Sequence, residues 1–160
     1  METALLALNG WLDTLGLDDW ARGSAAVYPW ANVLHVIGVV LLVGGIGVVD
    51  LRIAGWWRAL PLEPLSKALT PVAVAGLAVQ FASGLVLFAA DGEALAASDT
   101  FHLKLGLLFV ALLNAAAFRF GSRWSVNGGS EPGALARASA LLSLLLWFAV
   151  ATAARLIAYY

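Results

Sequence analysis

Apolar positions fall along this chain in four long blocks, parted by short polar connections. The first block runs from Pro29 to Ile53 (PWANVLHVIGVVLLVGGIGVVDLRI). About 20 apolar residues in a helix cross the ~30 Å hydrocarbon core of a bilayer. Three further blocks of similar character cover 71–90, 101–121 and 134–158. The pattern predicts an all-α fold, an integral membrane four-helix bundle over 29–160 with spans at about 29–53, 71–90, 101–121 and 134–158. Pro71 is placed at the start of the second span, where its missing N–H costs least. The connections are a loop with Pro61, Pro64 and Lys67, an acidic loop from Asp91 to Asp99, and a glycine-rich loop from Ser122 to Gly133. Residues 1–28 read differently: Leu5, Leu8, Trp11 or Leu12, and Leu15 recur at helical spacing, with Asn9, Asp13 and Thr14 among the opposite positions. That is the pattern of an N-terminal interfacial amphipathic helix, with Trp11, Trp20, Tyr28 and Trp30 at headgroup level. A loose tail is the alternative.

Composition agrees. The chain is 62% hydrophobic and 12% charged, against about half and a quarter in soluble domains. Its net charge of -1 offers no basic patch, so no nucleic-acid partner is expected. The absence of cysteine excludes disulfides, thiolate ligands, iron–sulfur clusters and covalent c-type haem attachment. No basic residue precedes Arg22, so no cleaved signal peptide is expected. The first and third connections with their helix ends carry six of the basic residues: Arg52, Arg58, Lys67, Arg119, Arg123 and Arg137. The opposite side carries three: Arg22, Lys104 and Arg155. The basic bias predicts that both termini face outward across a bacterial inner membrane.

Few polar residues interrupt the spans, and several gather toward one side. His35 lies six residues from Pro29, about 9 Å along the helix at 1.5 Å per residue. His102 and Lys104 open the third span, and Arg155 closes the fourth. All four fall in the predicted outer half. An ionisable side chain inside a span is a functional-site candidate by default and normally faces the bundle interior. On helical wheels Asn32, His35, Gly38, Leu42 and Gly45 share a face of span one. Gly76, Gln80, Ser83, Gly84 and Leu87 share one in span two, and Phe148, Ala151, Thr152, Arg155 and Tyr159 one in span four. Small residues at 38 and 45 admit a close helix or a flat cofactor.

Each polar residue also has a purely structural reading. His35 either bonds a neighbouring helix or ligates and handles protons. His102 is a helix-start interface residue or a ligand. Lys104, Arg119 and Arg155 either snorkel outward or serve a site. Gln80, Ser83 and Asn114 read as interhelical hydrogen-bonding residues. Other chemistries are absent from the pattern: no phosphate loop after a strand, no HExxH, no Ser-His-Asp set. Two histidines with only Met1 make a poor copper pathway. Asp50 is the only acid near a span, too little for a carboxylate proton pump.

Two stretches together carry a resemblance: Ala31-Asn32-Val33-Leu34-His35-Val36-Ile37-Gly38 leading to Asp50-Leu51-Arg52, and Phe101-His102-Leu103-Lys104-Leu105 opening span three. They resemble the HemJ-type protoporphyrinogen oxidases and the wider CopD-like membrane group. Lys67-Ala68-Leu69-Thr70-Pro71 and Arg155-Leu156-Ile157-Ala158-Tyr159 look more like uncharacterised four-span bacterial members of that group. The resemblance covers about 28–158 in outline. It implies a haem b or porphyrin site with His35 as a site residue, Lys104 as its polar partner and His102 as the flanking histidine. His35 and His102 would then be the haem-iron ligands, with Arg155 available to propionates. Asp-Leu-Arg stands where the family has Pro-Arg, and a downstream histidine is missing, which bears on oxidase activity more than on fold. A non-enzymatic accessory or scaffold subunit stays open as a second reading, and metal or solute transport as a third. The lipid bilayer is the expected partner, with a homo-oligomer or larger membrane complex left open by the glycine faces.

Overall fold

A computed structural model describes residues 1–121 and 131–159. Within them the chain forms six helices: α1 (Glu2–Thr14), α2 (Leu17–Gly23), α3 (Val27–Ala54), α4 (Leu62–Ala96), α5 (Asp99–Gly121) and α6 (Ala134–Leu156). Four of them, α3 to α6, are long and apolar enough to cross a membrane, so the protein is polytopic, with a lipid bilayer around it. Arg123, Asn127, Gly128 and Gly129 of the glycine-rich loop, and Tyr160, lie outside the described residues.

The upper end of the bundle holds α1, α2 and the α4–α5 junction; the lower end holds the α3–α4 junction. Helix α3 packs along α4 and α6, and α6 packs on α5. Consecutive α4 and α5 scarcely touch along their backbones. The order around the bundle is therefore α4, α3, α6, α5, with a gap where the circle would close.

Glycine dictates the tightest seam. A Cβ on Gly76 would stand 2.5 Å from Leu42 N and 2.8 Å from Gly38 O. One on Gly38 would stand 3.0 Å from Gly76 O, and one on Gly45 3.1 Å from Leu69 O. Backbone rests on backbone there, which lipid-embedded helices use where apolar burial gives no drive of its own. The faces expected from helical spacing in α3 and α4 do meet. In α6 most of the expected face turns outward instead: Phe148, Thr152, Arg155 and Tyr159 are exposed, Ala151 borders the interior cavity, and Ala140, Ser143, Leu146 and Trp147 are buried. The outward residues satisfy one another: Thr152 Oγ1 donates to Phe148 O at 2.9 Å, and Arg155 Nη2 to Tyr159 Oη at 2.6 Å.

Helix α4 departs from the expected span at both ends. It begins at Leu62, so Pro64 occupies the first turn and Pro71 lies in the interior. Lys67 and Glu63 pair one turn apart at 2.6 Å on a helical surface, not in a loop. At the other end α4 continues through the predicted acidic loop to Ala96, bending at Asp91 (φ -124°, ψ 23°). Ala90 O, beside the bend, accepts from Arg22 Nε at 2.6 Å, and Asp91 Oδ2 accepts from Tyr28 Oη at 2.7 Å.

The N-terminal segment is two helices, not one. Gly16 adopts a left-handed conformation (φ 69°), which other residues reach at a cost. The chain turns there, and Leu5, Leu12 and Leu17 pack with Phe88, Ala89 and Phe101 as a cap over the upper end. Asn9 sits so close to Gly92 that a Cβ there would overlap its amide.

At mid-depth α5 and α6 are joined by a reciprocal pair. Asn114 Nδ2 donates to Ser139 O at 3.1 Å, and Ser139 Oγ donates to Asn114 Oδ1 at 3.0 Å. Asn114→Leu is expected to lower stability in detergent by about 0.6–2 kcal/mol. An unchanged thermal midpoint would show that the pair contributes nothing.

Candidate functional site

Beneath the leucine–phenylalanine cap lies a cavity of about 270 Å³. Ligand pockets usually span roughly 300–1,000 Å³, so this chamber is small, and the gap between α4 and α5 adds to it. Its walls are almost wholly apolar: Leu5 and Leu8 above, Val39 and Leu42 on α3, Phe81 and Phe88 on α4, Leu108 on α5, and Trp147 below. Three polar side chains interrupt them: His35, Gln80 and Lys104.

Helix α4 fixes the histidine. The Nδ1–Cε1 edge of the ring lies against Gly84, where a Cβ would come within 3.2 Å of Cε1. Gln80 Nε2 donates to the His35 carbonyl at 2.6 Å. Ser83 Oγ stands 3.0 Å from His35 Nδ1 and 2.6 Å from Val79 O. A hydroxyl has one hydrogen. The short contact commits it to the Val79 carbonyl, so Oγ must accept from His35, and Nδ1 carries the proton. Nε2 then holds the lone pair. Among the described residues Nε2 has no hydrogen-bond partner. This tautomer is the one suited to ligate a metal or accept a proton through Nε2. The two nitrogens of the ring thus differ: Nδ1 bonds the neighbouring helix, and Nε2 makes no hydrogen bond among the described residues.

Lys104 lies a turn into α5. Its Nζ is 5.8 Å from the centroid of the Phe101 ring, and it forms no ion pair with a carboxylate among the described residues. An ammonium on an apolar wall without an anion is costly at membrane depth.

The other two candidates stand apart from this cavity. His102 is absent from its lining; its Nε2 is buried without a partner elsewhere in the first turn of α5. Arg155 is on the exterior, folded over the Tyr159 ring at 4.7 Å. Helical phase explains both. His102 is two residues from Lys104, about 200° around the helix, so the two cannot share a wall. Arg155 follows the outward face of α6.

Some features escaped the sequence. Gly84 was visible only as a small residue, not as the seat of an imidazole. Asp50, read as lying near a span end, is 5% exposed, with Ser143 of α6 as its hydrogen-bonding neighbour and with Oδ2 unpartnered. Its position four residues before the end of α3 gave no sign of that burial. Among the described residues no group of three or more His, Cys, Asp or Glu is placed to hold a bare metal ion.

The donor set fits a b-type haem in kind. It offers one imidazole with a free Nε2, one ammonium for a carboxylate, and aromatic and aliphatic walls. It provides one axial histidine, not two. Compared with models of protein families, with characterised proteins and with solved structures, the chain matches none.

Proposed function

We propose that this protein binds a haem b or porphyrin in the outer half of a bacterial inner membrane, in the manner that its resemblance to the HemJ-type and CopD-like proteins implies. The observation that carries the reading is the Ser83-set tautomer, which leaves the His35 Nε2 lone pair unpartnered on an apolar cavity. His35 is the ligating residue, Ser83 holds it in orientation, and Lys104 pairs with a carboxylate of the macrocycle. A bound haem would supply one-electron redox chemistry there. Phe81, Phe88 and Trp147 provide apolar faces, and the capping leucines exclude water. With the basic residues weighted to the lower end, the upper end and both termini face outward.

The test is optical. Purified protein in mild detergent is titrated with haem, and absorbance is recorded oxidised and reduced. Wild type is expected to give a shifted Soret band that His35→Ala loses. Ser83→Ala removes the acceptor that orients the ring and is expected to weaken binding by about 10–100-fold, the usual loss for a partner behind a ligating histidine. His102→Ala and Arg155→Ala are expected to bind as wild type does. A wild-type protein that leaves the haem spectrum at its free form, or a His35→Ala variant that binds undiminished, would sink the proposal.

A further inference from the structure

We infer that the cavity takes a lipophilic carboxylate, and that this ligand enters sideways from the outer leaflet through the gap between α4 and α5. The inference rests on the proposed function only in treating the cavity as a ligand site.

Three sides and the lower end of the cavity are closed by packing, and the upper end is capped. Above, Leu12, Phe88 and Phe101 form the buried cap, with the two phenyl rings stacked at 6.0 Å. The capping segment is fastened to α4 by the Arg22–Ala90 hydrogen bond, and the start of α3 by Tyr28–Asp91 beside it. Below, Leu42, Ala111, Leu146 and Trp147 form a second buried cluster. The α3–α4, α3–α6 and α5–α6 pairs pack on one another, whereas α4 and α5 scarcely meet. Three of the lining residues are also exposed: Leu8 of the cap by 39%, Phe81 by 57% and Leu85 by 46%. The two most exposed, Phe81 and Leu85, lie on α4 at a depth where the surroundings are hydrocarbon. The mouth therefore opens into lipid, not water.

Charge selects the ligand. Lys104 borders the cavity without a carboxylate of its own. A bilayer amphiphile with one carboxylate supplies the missing charge and places its chain along the apolar walls. Neutral and zwitterionic lipids do not. A porphyrin carboxylate satisfies the same requirement, and so does a single-chain fatty acid; binding of each is read separately.

The test uses Trp147, 5% exposed and part of the cavity wall. A variant with the remaining six tryptophans changed to phenylalanine is placed in phosphatidylcholine vesicles. Its fluorescence is quenched with dibromostearic acid or with the methyl ester of the same acid. The acid is expected to reach half-quenching at about tenfold lower membrane concentration than the ester. Lys104→Gln is expected to erase that preference and Lys104→Arg to keep it; an unchanged Trp147 emission maximum checks that each variant is folded. The chain has no cysteine of its own, so Leu85→Cys carrying a bulky maleimide blocks the mouth alone and is expected to slow quenching severalfold. Equal quenching by acid and ester would overturn the ligand class. A blocked mouth with undiminished quenching would overturn the route. A preference for the acid without any haem spectrum would leave this inference standing and remove the haem; haem binding without the acid preference would do the reverse.

Discussion

Gly76→Ala is expected to destabilise the bundle more than any other single methyl addition among the described glycines whose Cβ would meet the backbone of a neighbouring helix. The added Cβ meets Leu42 N at 2.5 Å, Gly38 O at 2.8 Å and Leu41 Cβ at 2.9 Å. Two of those atoms are backbone, so no rotamer change can clear them, and α3 and α4 must separate. Overpacking typically costs 1–3 kcal/mol, and a contact of backbone on backbone belongs at the upper end, about 3 kcal/mol. Separation would also move Gln80 and Ser83, which hold His35. The control is Gly44→Ala on the same seam-forming helix. A Cβ there meets nothing within 4 Å, so stability is expected to hold or rise slightly. Thermal unfolding in one detergent, followed by circular dichroism, compares the two. Equal midpoints would show that α3 and α4 do not meet through Gly76.

Arg52→Ala is the second large effect, at the other end of the molecule. Arg52 is only 5% exposed. Its Nε donates to Leu60 O at 2.7 Å and its Nη2 to Arg58 O at 3.1 Å, with Glu131 Oε1 3.6 Å away. One guanidinium thus gathers the turn between α3 and α4, in which Trp57 takes a left-handed conformation (φ 47°). Removing it strands two carbonyls that water would have to reach. Each hydrogen bond to a charged group is worth about 1.5–3 kcal/mol, so a loss of roughly 3 kcal/mol is expected. The turn should open with it: limited proteolysis between Gly55 and Pro61 is expected to accelerate in Arg52→Ala. Arg52→Lys keeps the charge but not the forked donors, and is expected to be cut nearly as fast. Variants as resistant as wild type would mean that the turn holds itself.

The spans were legible because lipid imposes a simple rule: long apolar runs with few charges become helices. Their ends were not. Helix α4 runs nine residues upstream of Pro71, because a proline on a lipid-facing position of a packed helix loses one hydrogen bond without ending it. The acidic stretch at Asp91 reads as a loop, but it stays helical beyond the bend, where Arg22 of α2 and Tyr28 at the start of α3 donate hydrogen bonds to Ala90 O and Asp91 Oδ2. The site was half legible. His35 and Lys104 stand out as ionisable residues inside spans, and they do border one cavity. His102 and Arg155 stand out equally, yet helical phase carries them to other faces. Phase can be counted from a sequence; which phase faces inward depends on neighbours that only folding brings together. The expected face of α6 failed for that reason, since an apolar stripe of alanine, leucine and tryptophan fills the interior better than one holding Arg155 and Thr152.

The cap over the upper end has a consequence for the order of assembly. Leu5, Leu12 and Leu17 come early in the chain, but the surface that receives them is built from Phe88, Ala89, Phe101 and Ile157. During synthesis, α1 and α2 emerge first and find no partner. Their docking surface lies mainly on α4, with Phe101 of α5, and so exists only after α4 has bent and α5 has begun. Chains fold while they are made, N-terminal parts generally first; here α1 precedes in sequence the surface it packs on, so its docking must wait for residues made about seventy positions later.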